Sequence, residues 1–233
     1  MNLVIDIGNT LIKAGIFEQH KLVDICLSKD AEEIKQWYTT YPFKRSIISN
    51  VRKENIFATK LKKALVFNYK TPIPLQTAYK TPETLGLDRL AAAVAAQEMQ
   101  KNIPLLVVDT GTCITYDYID EKGIHLGGGI SPGLEMRFKA LNDYTGRLPL
   151  VEMPAQVQLI GVTTLSSISS GVLYGTVAEI EGIIRQYQEK FNKITVFLTG
   201  GDCKVFERKI KASIFADPYL VLKGLNRILD HNV

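Results

Sequence analysis

The sequence predicts a duplicated α/β fold: two mixed sheets, each with helices on its faces, and a cleft between them. Three observations carry this expectation. Each half of the 233-residue chain opens with three short strand-like runs and then alternates helices with strands. A meander followed by crossover helices implies a mixed sheet with covered faces. Each opening strand ends in an Asp followed by a Gly among small polar residues, Asp6-Ile7-Gly8-Asn9-Thr10 in one half and Asp109-Thr110-Gly111-Thr112 in the other. No low-complexity run or flexible linker parts the halves, so two packed domains are expected, residues 1–103 and 104–233, with the boundary near Asn102 and Pro104.

In the first half, strands are expected over 2–7, 11–17 and 21–27, with Gly and polar residues at the turns as hairpins require. A helix over 31–41 puts Ile34, Trp37 and Tyr38 on one face. A strand over 46–49 follows, then a helix over 54–64, where Phe57 and Leu61 interleave with lysines at helical spacing. After a short strand over 66–69 comes a loop through Pro72, Pro74 and Pro82, and then an Ala-rich helix over 87–100 of high intrinsic propensity. The second half repeats the order. Strands over 105–109, 113–119 and 123–126 lead to a helix over 132–142 with Pro132 in its first turn. A long helix spans 164–190, and a strand (195–198), helix (204–210), strand (213–215) and helix (219–229) close the chain.

Bulk composition bounds the function. A hydrophobic fraction of 46% with 22% charged residues is that of an ordinary globular protein. The net charge of +4 suits small anionic ligands, and without a clustered basic patch no nucleic-acid partner is expected. Cys26, Cys113 and Cys203 stand alone, so neither a disulfide framework nor a thiolate zinc site is suggested. The N-terminus lacks a basic lead-in, Asp6 interrupts its apolar run, and no apolar stretch is long enough to span a bilayer. The expectation is a cytoplasmic protein with no membrane partner.

The two Asp-Gly turns are the main candidates for chemistry. Asp6 could hold Mg²⁺, which favours a few carboxylates together with phosphate oxygens. Asn9 and Thr10 could hydrogen-bond phosphate, and Lys13 could reach the same anion. A hairpin turn made by Gly8-Asn9 is the plain alternative. Asp109 ends a buried apolar strand, where a carboxylate needs a cation or several donors, and Thr110 and Thr112 offer hydroxyls. A Gly-rich loop, Gly127-Gly128-Gly129 and Ser131-Pro132-Gly133, is expected to open a helix whose N-terminus favours anions. Gly200-Gly201-Asp202 could admit an adenine or ribose, or be a strand-to-helix turn capped by Asp202. Gly86-Leu87-Asp88-Arg89 reads either as first-turn helix charges or as a base with an anion-binding Arg. Thr163 and Thr164 precede a helix whose Gly171, Gly175 and Gly182 imply close approach of another helix, from this chain or a partner subunit.

Taken together and in order, Asp6 to Thr10, Gly86-Leu87-Asp88-Arg89, Asp109 to Thr112, Gly128-Gly129-Ile130-Ser131-Pro132-Gly133 and the Gly161, Thr164, Gly171 spacing resemble type III pantothenate kinase. That family lies in the acetate and sugar kinase, Hsp70 and actin superfamily. The resemblance implies two ribonuclease H-like domains of the actin-like duplicated fold. It implies ATP-dependent phosphorylation of pantothenate, the first step of coenzyme A synthesis, with Mg²⁺ and a monovalent cation, K⁺ or NH₄⁺. Asp88 matches the proton acceptor. Asp6, Ile7, Gly8, Asn9, Thr10, Leu11, Ile12 and Lys13 match the ATP phosphate loop, with Thr112 also on the nucleotide. Asp109 matches the monovalent-cation position. Tyr79, Gly86, Leu87, Asp88, Arg89 and Thr164 match the pantothenate contacts, and the family works as a homodimer.

Two other functions are compatible with such a scaffold. A two-metal nuclease of the ribonuclease H type would gather several acids within one half. A non-catalytic nucleotide-binding regulator would keep Asp6 and Asp109 but have no need of Asp88 or Tyr79.

Overall fold

The computed structural model describes residues 1–52, 57, 61 and 63–232. Most of the helix expected over 54–64 lies outside them. The chain divides into two compact units, Met1–Leu105 with Asp117–Gly127 and Tyr219–Val233, and Leu106–Tyr116 with Gly128–Pro218.

In the first unit, strands β1 (Asn2–Ile7), β2 (Ile12–Glu18), β3 (Lys21–Ser28), β4 (Arg45–Asn50) and β5 (Leu65–Val66) form a sheet ordered β3-β2-β1-β4-β5. The first three are an antiparallel meander, whereas β4 runs parallel to β1 and β5 parallel to β4. Helix α1 (Ala31–Tyr38) starts at Asp30, whose side chain accepts the Glu32 N–H, and makes the crossover from β3 to β4. Ile34 and Tyr38 of α1 join Leu3, Ile5, Ile7 and Ile48 in one buried cluster. Strand β1 is buried along its whole length because it is central and covered on both faces.

The second sheet runs β11-β10-β7-β8-β9-β6, from β6 (Gln76–Thr77), β7 (Leu105–Thr110), β8 (Cys113–Ile119), β9 (Ile124–Pro132), β10 (Thr195–Thr199) and β11 (Phe215–Ala216). Without β6, its order read backwards is third, second, first, fourth, fifth, the same as in the first sheet. The duplication expected from element order is therefore present in strand topology. Strand β6, within the Pro-rich loop, carries too short a pattern to be read from sequence.

The glycine string departs from expectation. Residues 127–132 are the second half of β9, not a loop, and the helix expected from Pro132 begins later, as α3 (Leu134–Asp143) after Gly133. Pro132 ends the strand, a position where its missing N–H is tolerated. In the second unit, α4 (Thr164–Phe191), α3 and α5 (Cys203–Glu207) supply Ile180, Phe138 and Phe206 to a core with Val108, Ile114 and Leu198.

Helix α2 (Leu87–Met99) carries the Gly-x-Asp-Arg sequence at its start and is buried from Arg89 to Ala96. It packs against α6 (Leu220–His231). The contact is close because small residues meet there: a Cβ on Gly224 would sit 1.8 Å from the Ala91 carbonyl oxygen. Gly224→Ala should therefore force the two helices apart and destabilise the protein by about 1–3 kcal/mol. Chemical denaturation checks this, and unchanged stability would mean that the helices do not approach so closely.

Candidate active site

Asp6 lies near the end of β1, paired directly with Lys13 on β2 and Ser49 on β4. Directly paired residues share one face of a sheet, so the carboxylate has a cation on one side and a hydroxyl on the other. It is only 6% exposed. Its Oδ1 and the Ser49 Oγ are buried with no hydrogen-bond partner among the described residues. Burial pushes the Asp6 pKa up to about 6, and the Asp88 carboxylate adds to the rise, while the Lys13 charge opposes it. A buried carboxylate with an orphaned oxygen fits a hydrated cation or a ligand donor.

The turn beyond Asp6 is closed by Gly8 N–H donating to the Leu11 carbonyl at 3.1 Å. Arg52 Nε donates to the Gly8 carbonyl at 2.8 Å and pins the turn from outside. Asn9 and Thr10 are exposed at its tip, and Leu11 and Lys13 are half-buried. Ile7 and Ile12 are wholly buried, so their side chains belong to the core and only their backbone can serve a ligand.

Asp88 stands in the first turn of α2, where a negative charge is favoured by the helix dipole. Its Oδ1 accepts the Arg89 N–H at 2.9 Å, which orients the carboxylate. The charge of Asp88 is among the causes that raise the Asp6 pKa. Within the first unit, Asp88 is thus an acid whose charge reaches Asp6.

Arg89 is buried: its side chain is 6% exposed and forms a bidentate pair with Asp117 on β8, Nε to Oδ2 at 2.9 Å and Nη2 to Oδ1 at 2.8 Å. Burial raises the Asp117 pKa, but hydrogen bonds from His125 and Arg89 outweigh it and hold the carboxyl below its usual range. The guanidinium also lies over the Tyr79 ring, 5.7 Å from its centroid. Tyr79 and Arg89 are thus brought together, and Gly86 and Leu87 lie beside them as half-buried residues at the start of α2.

In the second unit, Asp109 is half-buried near the end of β7 and Thr112 is exposed at the following turn. Gly133 N–H donates to the Thr112 carbonyl at 3.1 Å, and Asp202 N–H to the Thr110 carbonyl at 2.9 Å. Thr110 does not offer its hydroxyl to a ligand, because Oγ1 is buried and donates to the Thr199 carbonyl at 2.7 Å. Asp202 occupies the N-cap position of α5 without a side-chain cap bond, and burial followed by the charge of Glu135 raises its pKa. Thr163 caps α4 in a reciprocal box with Ser166, which leaves Thr164 as the exposed first residue of the helix. Apart from neighbouring residues of its own helix, no described atom lies within 4 Å of a Cβ built on Gly171, Gly175 or Gly182, so no other described helix makes the close approach expected there.

Asp117, His125, Ser49 and Arg52 were not singled out from sequence. An Asp within the otherwise apolar Tyr116-Asp117-Tyr118 of β8 was a usable signal, whereas Ser49 enters only through the register of a parallel pair. Among the described residues no three His, Cys, Asp or Glu side chains gather as a metal site, and the acid cluster of a two-metal nuclease is not found. No described helix is long and apolar enough to cross a membrane.

Residues 2–186 match the family model described as type III pantothenate kinase. A type III pantothenate kinase of Phocaeicola vulgatus is 45% identical over 240 residues, covering 100% of this chain and 99% of that protein. Among solved structures, a Campylobacter jejuni protein named for the Baf family of transcriptional activators superposes with a TM-score of 0.66 at 24% identity, covering 99% of this chain and 98% of the other. A ROK family glucokinase from Streptomyces griseus, bound to glucose and AMPPNP, superposes with a TM-score of 0.53 at 12% identity over 99% and 98% of the two chains. The two-sheet fold is the one shared by such kinases.

The raised Asp6 pKa has a stability consequence. The carboxyl releases its proton near 3.8 in the unfolded chain but at about 6 in the fold. Between those values the unfolded chain ionises first, so stability falls as pH rises, and the loss is complete above the folded value. It amounts to about 3 kcal/mol. Asp6→Asn should thus exceed wild type in denaturation stability at about pH 7.5, and the difference should shrink towards about pH 4. A difference independent of pH would show that Asp6 is not a buried charge.

Proposed function

This chain belongs to the type III pantothenate kinase family, and from that membership we propose that it transfers the γ-phosphoryl group of ATP to the primary hydroxyl of pantothenate. The reaction begins coenzyme A synthesis. The observation that carries the reading is the Asp6 carboxylate, buried on β1 beside Lys13 and Ser49 with an oxygen that has no partner among the described residues, at the turn that matches the family's phosphate loop. In this reading the pantothenate oxygen attacks the γ-phosphorus, the bond to the bridging oxygen of ADP breaks, and the hydroxyl proton passes to the Asp88 carboxylate. Phosphoryl transfer asks mainly for alignment and charge neutralisation, and a carboxylate beside the hydroxyl meets the remaining need.

The residues from Asp6 to Lys13 are assigned to the ATP phosphates, with Thr112 also on the nucleotide. Lys13 and backbone N–H groups supply the positive potential. Mg²⁺ would be held by Asp6 and the phosphates, where it would neutralise charge. Asp109 is assigned to K⁺ or NH₄⁺. Tyr79, Gly86, Leu87, Arg89 and Thr164 are assigned to pantothenate. The commitment of Thr163 to its capping box supports Thr164 over its neighbour as the substrate contact. The same reading treats residues 1–103 and 104–233 as two ribonuclease H-like halves and places the enzyme in the cytoplasm.

A homodimer is part of the proposal. Its support is the apolar surface at the start of α4, where Val162 is 88% exposed and Tyr144 across the adjoining groove is likewise 88% exposed. Gly171 lines the same groove, of about 1190 Å³, and no described residue beyond its own helix comes within 4 Å of a Cβ built on it. Surface of this kind marks association.

ADP release measured with and without pantothenate in K⁺ buffer tests the activity; release independent of pantothenate would refute it. Asp88→Asn should lower kcat by roughly a hundredfold or more while ATP binding persists. An unchanged kcat would remove Asp88 from the chemistry. Val162→Glu should shift the protein towards monomer in light scattering, and an unaltered mass would move the interface elsewhere.

A further inference from the structure

The two residues assigned to pantothenate on the Pro-rich loop and on α2, Tyr79 and Arg89, are tied to each other by a buried polar chain. Arg89 grips both oxygens of Asp117. His125 Nε2 lies 2.7 Å from Asp117 Oδ1, and Nδ1 of the same ring lies 3.0 Å from Thr77 Oγ1. Thr77 Oγ1 in turn accepts the Tyr79 N–H at 3.2 Å. Arg89, Asp117 and His125 are each at most 5% exposed. An ionised Asp117 can only accept, so Nε2 donates to it; in the tautomer protonated at Nε2 alone, Nδ1 accepts the Thr77 hydroxyl proton. Every link then has one donor and one acceptor.

Packing reinforces the chain. The Tyr79 ring stacks on His125, with centroids 6.3 Å apart and planes at 21°. Strand β6 lies parallel to β9 with Thr77 paired to His125, which brings the loop to this edge. The Tyr79 ring also lies close to Gly127, whose φ of +99° favours glycine and whose Cβ, if added, would come 3.2 Å from Tyr79 Cδ2. The bidentate pair is costly to bury and adds little to net stability compared with apolar packing, so fixed geometry is its better explanation.

We infer that Asp117, His125 and Thr77 are positioning residues that hold Arg89 and Tyr79 as one unit for the pantothenate acceptor. This rests on the proposed kinase reading. None of the three touches the reacting atoms. Their loss should act on the acceptor and spare the nucleotide, because the Asp6 turn is not part of the chain of bonds.

Steady-state kinetics of Asp117→Asn, His125→Gln, His125→Ala and Thr77→Val, with each substrate varied in turn, test the inference. Thr77→Val keeps side-chain shape at an exposed position and serves if the core variants do not fold. The expected result is a rise of about tenfold or more in KM for pantothenate with KM for ATP unchanged. Because Gln can restore the proton offered to Asp117, His125→Gln should recover part of what His125→Ala loses. Folded variants with wild-type KM for pantothenate, or with both KM values raised equally, would overturn the positioning role and leave the kinase reading intact. A wild-type protein without pantothenate-dependent ADP release would remove both.

Discussion

A carboxylate at the end of a fully buried strand is the constraint from which the first unit is built. Asp6 can sit there only because β2 and β4 place Lys13 and Ser49 directly beside it. These neighbours do not cancel the cost of burial, and the pKa stays at about 6. The central position of β1 gives the fold its core, and the same position leaves the Asp6 carboxylate short of partners. The fold thus carries a standing electrostatic demand at the turn after β1, of the kind that a cation can meet.

Helix α2 presents the other half of that arrangement. Its Ala-rich face and Gly224 of α6 allow close helix packing, so the start of α2 is fixed by core contacts. Asp88 and Arg89 are adjacent in sequence but meet different fates on this helix. Asp88 remains half-buried and its carboxylate accepts the Arg89 backbone N–H, whereas the Arg89 side chain turns inward to Asp117. Two neighbours along the chain thus sit in different surroundings, one half-buried and one buried against a carboxylate. Aligned groups of this kind are what phosphoryl transfer requires, since its chemistry depends on placement and charge.

Much of the architecture was legible in the chain. The apolar runs of β1, β7 and β10 and the propensity of α2 and α4 are strong local signals, and element order revealed the duplication. Misreadings arose where local signals conflict. The glycines at 127–129 look like a loop, yet the ladder of β9 carries them as strand. Strand β6 is two residues long and exists only because β9 offers an edge to a passing loop. The burial of Arg89 was not legible, because its partner, Asp117, lies 28 residues away in sequence.

The amino-acid sequence by itself determined the order of elements, the two Asp-Gly turns and the family, because each depends on residues that are neighbours along the chain. Tertiary structure decided which charges are felt and which are neutralised. Asp6 senses Asp88, Arg89 is matched by Asp117, and Tyr79 rests on His125. Desolvation and long-range pairing belong to three-dimensional proximity, and no local pattern encodes the dielectric around a carboxylate or the partner that a folded strand brings to it.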